Sequence, residues 1–84
     1  MRIGIHICDE TVGYLTDEGE LISENPTIKR LARRVKRVQT TELIRGKKGT
    51  VGLRLITVER AHPAYVGAVI ERLLDAGYDL TAED

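Results

Sequence analysis

The chain has 84 residues, of which 42% are hydrophobic and 31% are charged, and its formal net charge is zero. This length leaves room for one small domain, and the composition is that of a globular protein rather than a disordered or fibrous one. We expect residues 1–80 to form a single domain and residues 81–84 to be a frayed acidic tail.

The cysteine content and the N-terminal residues indicate the cellular compartment in which the protein is expected. Cys8 is the single cysteine, so an internal disulfide, the usual staple of a small secreted domain, cannot form. The apolar stretch at the N-terminus is too short for a signal peptide or for a membrane-spanning helix. The sequence therefore predicts a cytoplasmic protein with no membrane partner.

Two strand patterns occupy the first quarter of the chain. Residues 2–8 alternate, with Ile3, Ile5 and Ile7 on one face, which is typical of a half-buried strand. Asp9 and Glu10 are expected to form the turn that follows it. Residues 11–16 and 20–23 then flank a short loop ending in glycine, which predicts a hairpin.

The rest of the chain predicts a helix, a second hairpin and a second helix. Asn25-Pro26 is a favourable helix start, and apolar residues at helical spacing extend the first helix to about Val38. Residues 39–45 and 50–58 are rich in β-formers around a Gly-Lys-Lys-Gly turn. His62-Pro63 opens the second helix, and Gly77 caps its C-terminus. Residues 78–80 either add a short final strand or cap this helix.

This order predicts a small two-layer α+β domain, in which an antiparallel sheet of four to five strands carries two helices on one face. In element order alone it resembles the ferredoxin-like β-α-β-β-α-β layout with an extra N-terminal hairpin. Proteins with that layout regulate, carry metals, bind nucleic acids or build structures, so the resemblance constrains function little.

Charge is segregated along the chain although it sums to zero. Residues 1–27 carry a net charge of −5, residues 28–54 carry +9, and residues 55–84 carry −4. Within the basic third, the face of the first helix opposite its apolar stripe is entirely basic and lacks acidic partners at i−4 or i+4. Such a local field attracts an anionic partner even when the whole chain is neutral. Alternatively, the acidic thirds fold beside the basic third and neutralise it through ordinary surface ion pairs.

Catalytic and metal chemistry find little support in the sequence. His6 and Cys8 lie two apart on a strand, but two ligands do not make a zinc site. A lone cysteine beside Asp9 and Glu10 lies among negative charges, which disfavours a reactive thiolate. The segment 46–50 looks like the GxxG loop of KH domains but joins two strands instead of two helices, so that fold is not inferred. We therefore expect a non-enzymatic protein without a cofactor or a bound metal.

The sequence best fits a domain that binds nucleic acid through backbone phosphates. No aromatic residue lies between residues 28 and 54, which argues against a platform for stacking bases. The predicted contacts are the basic residues of the first helix and of the second hairpin: Lys29, Arg30, Arg33, Arg34, Lys36, Arg37, Arg45, Lys47 and Lys48. The alternative is a protein-interaction or self-assembly module, for example a small viral or accessory structural protein, whose basic and acidic surfaces pair in a homodimer or with a protein partner.

Overall fold

The computed structural model describes residues 1–83, which form six strands and two helices. In chain order these are β1 (Arg2–Ile7), β2 (Glu10–Thr16), β3 (Leu21–Ile22), α1 (Pro26–Arg33), β4 (Gln39–Gly46), β5 (Gly49–Thr57), α2 (Pro63–Asp75) and β6 (Asp79–Glu83). The chain is therefore a small α+β domain, as the sequence predicted.

Four strands form an antiparallel sheet in the order β3-β2-β1-β6. The central strand β1 pairs with β2, where Ile3 faces Leu15, and with β6, where Ile5 faces Leu80. Between β1 and β2 the chain turns through Cys8 and Asp9, both of which have positive φ, as a type I′ hairpin turn requires. The turn was predicted one residue later, at Asp9 and Glu10, because neither turn residue is the glycine that normally marks this conformation.

Both helices cover one face of this sheet. The fully buried side chains of the core come from the sheet and from both helices: Ile5, Leu15, Ile28, Val69 and Leu73. The Asn25 side chain caps α1 by accepting from the backbone amides of Thr27 and Ile28. Gly77 follows α2 with a φ of +95°, which is the conformation expected after a helix end.

The second hairpin does not join the main sheet. Strands β4 and β5 form a separate two-stranded sheet, which we call the arm, and the described part of the chain measures 52 × 26 × 18 Å. Eight paired residues at about 3.3 Å each give the arm a length of roughly 26 Å. The ferredoxin-like layout, which needs this hairpin within the sheet, is therefore not formed.

Helix α1 is shorter than predicted, since it ends at Arg33 rather than near Val38. Its last turn tightens, because the amides of Arg34 and Val35 donate to the carbonyls three residues before them. Val35 remains buried, and its carbonyl accepts a 3.0 Å hydrogen bond from the Tyr65 hydroxyl of α2. Arg37, with a φ of 52°, then redirects the chain into the arm. Repulsion among the cations of this segment opposes a longer helix. The hydrogen bond from Tyr65 to the Val35 carbonyl stabilises the conformation in which the helix ends at Arg33.

At the C-terminus the structure also differs from the expectation of a frayed tail over residues 81–84. Residues 81–83 belong to β6, and their partners on β1 run from Arg2 to Gly4. The backbone hydrogen bonds of this pairing order the segment in spite of its polar sequence. Asp84 lies outside the described residues.

Candidate nucleic-acid interface

A basic groove lies between α1, the turn after β2 and the loop that precedes α2. Its volume is about 600 Å³. Leu15, Val35 and Val69, all buried, contribute apolar surface to its lining. Four cationic side chains and one carboxylate also line it, namely Lys29, Arg33, Lys36, Arg60 and Glu20. Because four cationic residues face one carboxylate, the local electrostatic field of the groove favours an anionic over a cationic ligand.

Helix α1 places the first two cations of the groove. Ile28, with no exposed surface, anchors the helix on the sheet, and Lys29 and Arg33 follow it one and five residues later. Lys29 is half-buried and forms an ion pair of 3.7 Å with Glu24, which precedes the helix. This partner was missed because it lies five residues before the lysine, outside the i−4 spacing. Lys36 reaches the groove from the segment between α1 and β4.

Arg60 comes from outside the basic third of the sequence, and sequence reasoning did not include it. The loop that carries it packs on the turn between β2 and β3, where Gly19 has a φ of +81°. A Cβ atom added to Gly19 would overlap the Arg60 carbonyl oxygen and lie 2.6 Å from its Cγ atom. The sequence predicts the positive φ of Gly19. It does not show that the absence of a side chain there leaves space for the Arg60 backbone, because the two residues are 41 positions apart in the sequence.

Three of the four groove cations have no close ion pair within residues 1–83, whereas the fourth, Lys29, is paired with Glu24. In that part of the chain, no carboxylate approaches within 4.0 Å of Arg33, Lys36 or Arg60. By contrast, the exposed Arg54 on the arm is paired, since its Nε donates to Glu42 Oε1 over 3.0 Å. Cations without protein partners can contact phosphates without first breaking an ion pair.

The structure divides the other predicted site residues among three places. Arg34 borders a second cavity of about 250 Å³ beside Arg72, Glu71 and Asp75 of α2, where opposite charges are mixed. Arg30 and Arg37 are exposed outside both cavities. The remaining three residues lie at the end of the arm, roughly 25 Å from its base by the strand rise: Arg45, Lys47 and Lys48.

Neither a metal site nor a membrane-spanning helix is found among the described residues. No group of three His, Cys, Asp or Glu side chains in residues 1–83 is placed to hold a metal ion. No helix in the same residues is long and apolar enough to cross a membrane.

Tyrosine rings provide no open platform near the basic groove. Tyr14 lies under the Arg2 guanidinium, with 3.9 Å between the guanidinium carbon and the ring centroid. Tyr65 borders the groove, but it is half-buried and its hydroxyl is bonded to the Val35 carbonyl. The groove therefore offers cationic side chains to a ligand, and neither Tyr14 nor Tyr65 offers it an open ring for the stacking of a base.

Comparison of the chain with protein-family models, with curated proteins and with solved structures finds no match.

Proposed function

We propose that this protein is a non-enzymatic, cytoplasmic domain that binds nucleic acid through backbone phosphates. The observation that carries the proposal is the basic groove, which is lined by three cations without close carboxylate partners and by Lys29. The phosphate groups of a nucleic-acid backbone form a regular, closely spaced series of anions, which a cluster of cations can contact.

The arm end supplies a second contact in this proposal. It carries three cations, Arg45, Lys47 and Lys48, roughly 25 Å from the base of the arm. On a duplex, that distance corresponds to roughly seven base pairs at 3.4 Å per step. Binding by both places would therefore neutralise two separated groups of phosphates. This mode recognises the backbone, so we expect little dependence on base sequence.

A fluorescence-anisotropy titration with a labelled generic duplex and the matching single strand tests the proposal. We expect binding in the micromolar range at low salt, with a log-log salt slope near −0.9 for each phosphate contacted. The variant R33Q/R60Q removes two groove cations and should make the slope shallower by roughly 2, because each lost contact contributes about 1.

A matched variant distinguishes the effect of removing groove cations from the effect of lowering the net charge of the protein. R54Q/R72Q also removes two positive charges, but from the arm and from α2, outside the groove. We expect this control to lower affinity much less than R33Q/R60Q does. If R33Q/R60Q and R54Q/R72Q lowered the affinity equally, binding would depend on the overall charge of the protein rather than on the groove. Wild-type protein that binds neither nucleic acid at low salt would overturn the proposal and favour an acidic protein partner.

A further inference from the structure

We propose that the arm end, residues 44–52, enters the major groove of duplex DNA, so that double-stranded DNA is the nucleic acid this protein prefers. This inference rests on the proposed function, because it names the class of nucleic acid and the part of it that the arm contacts. The basic groove contacts a phosphate backbone of any kind, whereas the arm end distinguishes nucleic acids by their shape.

The arm projects from the rest of the domain. No hydrophobic side chain of residues 39–57 belongs to the buried core or is packed against it, and residues 43–51 are all exposed. Within residues 1–83, β4 and β5 pair only with each other. The arm end is therefore accessible to a ligand from both faces and from both edges.

The arm carries its net positive charge at its end. Glu42, the single acidic residue of the arm, is paired with Arg54, and beyond this pair residues 44–52 contain three basic side chains and no acidic one. The base of the arm lies roughly 25 Å away by the strand rise, more than twice the Debye length of about 10 Å at about 0.1 M salt. Acidic residues of the main sheet and helices therefore do not neutralise the net charge of +3 at the arm end.

The dimensions of the arm end match the major groove of B-form DNA. Two paired strands lie about 4.8 Å apart, and the three residue steps from Ile44 to Lys47 give the arm end a length of roughly 10 Å. The major groove is about 12 Å wide and about 8.5 Å deep and admits a two-stranded ribbon, whereas the minor groove is only about 6 Å wide. The major groove of duplex RNA is deep but too narrow for side chains to enter. The arm end therefore fits duplex DNA and not duplex RNA.

A glycine that the fold does not require makes the arm end narrower. Gly52 lies in β5 and is not among the glycines with positive φ. A Cβ atom added to it would lie 3.9 Å from the Ile44 Cδ1 atom, which is ordinary van der Waals contact. The arm thus has space for a side chain at Gly52, and the absence of one lets a ligand approach the strand backbone closely.

The shape of a duplex also determines how many phosphates the arm end reaches. Inside the major groove, its three cations, Arg45, Lys47 and Lys48, lie between two rows of phosphates. A single strand presents one row and no groove. We therefore expect the arm end to add most to the affinity for duplex DNA.

Anisotropy titrations with duplex DNA, with duplex RNA of the same sequence and with single-stranded DNA, at one low salt concentration, test the proposal. Duplex DNA should bind at least about tenfold more tightly than the other two, because the arm cations add phosphate contacts only there. Equal affinities for the three would overturn this inference and leave the proposed function intact. Absence of binding to all three would overturn both.

The variant K47Q/K48Q removes two cations of the arm end. It should make the salt slope for duplex DNA shallower by roughly 2, while it weakens the binding of duplex RNA no more than the matched variant R54Q/R72Q does. The basic-groove variant R33Q/R60Q should weaken the binding of DNA and RNA alike. If K47Q/K48Q also weakened both equally, the arm end would not distinguish the two duplexes and the inference would be wrong.

Gly52→Val tests entry into the groove without a change in charge. Valine is a good strand former and its Cβ has space, so far-UV circular dichroism should stay unchanged. The wider arm end should lower the affinity for duplex DNA at least about fivefold, because overpacking a close contact is that unfavourable. The control Thr57→Val introduces the same residue at the exposed base of the arm and should bind normally. Undiminished binding by Gly52→Val would contradict insertion.

Competition with two groove-binding cations gives an independent readout on a duplex that contains A·T tracts. Methyl green, which occupies the major groove, should displace the protein from this duplex. Netropsin, which occupies the minor groove, should displace it much less. Displacement by netropsin as effective as that by methyl green would show that the arm end does not occupy the major groove.

Discussion

Three glycine-to-alanine substitutions test whether the Gly19 turn packs on the Arg60 backbone. At Gly19, alanine would destabilise the fold for two reasons: the residue has a φ of +81°, and the added Cβ would overlap the Arg60 carbonyl oxygen. At Gly77, it meets only the φ of +95°, since nothing lies within 4 Å of the added Cβ. At Gly67 within α2 it meets neither.

The magnitudes follow from these local differences. The φ penalty at Gly77 should cost about 1–2 kcal/mol of unfolding free energy. Gly19→Ala adds an overpacking cost of about 1–3 kcal/mol, because backbone atoms would have to separate by roughly an ångström. Gly67→Ala should instead stabilise the protein by about 1 kcal/mol, because alanine is the better helix former.

Urea unfolding monitored by far-UV circular dichroism, at one fixed protein concentration, measures all three variants. Anisotropy titrations with the duplex add a second readout, since Gly19→Ala displaces Arg60 and should make the salt slope shallower by about 1. Gly77→Ala should leave the slope unchanged. If Gly19→Ala destabilised the protein no more than Gly77→Ala and bound the duplex normally, the contact that places Arg60 in the groove would be refuted.

Three further substitutions test how α1 and the segment after it are held. Ile28→Ala should cost about 2–5 kcal/mol in urea unfolding, because Ile28 is fully buried between helix and sheet; a cost below about 1 kcal/mol would contradict that packing. Asn25→Ala should cost about 1 kcal/mol by removing the side-chain cap of α1, whereas Asn25→Asp, which keeps the acceptor, should cost much less; equal losses would argue against the cap. Tyr65→Phe should cost about 1 kcal/mol and increase amide hydrogen exchange in residues 34–38, because it removes the bond to the Val35 carbonyl; unchanged exchange would count against this role.

Local patterns in the sequence determined most of the secondary structure. The alternation over residues 2–8, the Asn25-Pro26 start and the Gly77 end each depend on backbone preferences within a few residues. These preferences also indicated both hairpins and the α+β class. The end of α1 escaped prediction because Val35 keeps the helical spacing while its carbonyl bonds to Tyr65, thirty residues away.

Only the tertiary structure decided how these elements combine. Strand pairing is a long-range choice, so nothing in the β4 and β5 sequences showed that their hairpin would stand apart from the sheet. The basic residues form a block in the sequence, but the fold brings only Lys29, Arg33 and Lys36 of that block into the groove and adds Arg60 from the acidic third. Charge in a sequence is a sum over residues, whereas a binding site depends on which of those charges meet in space.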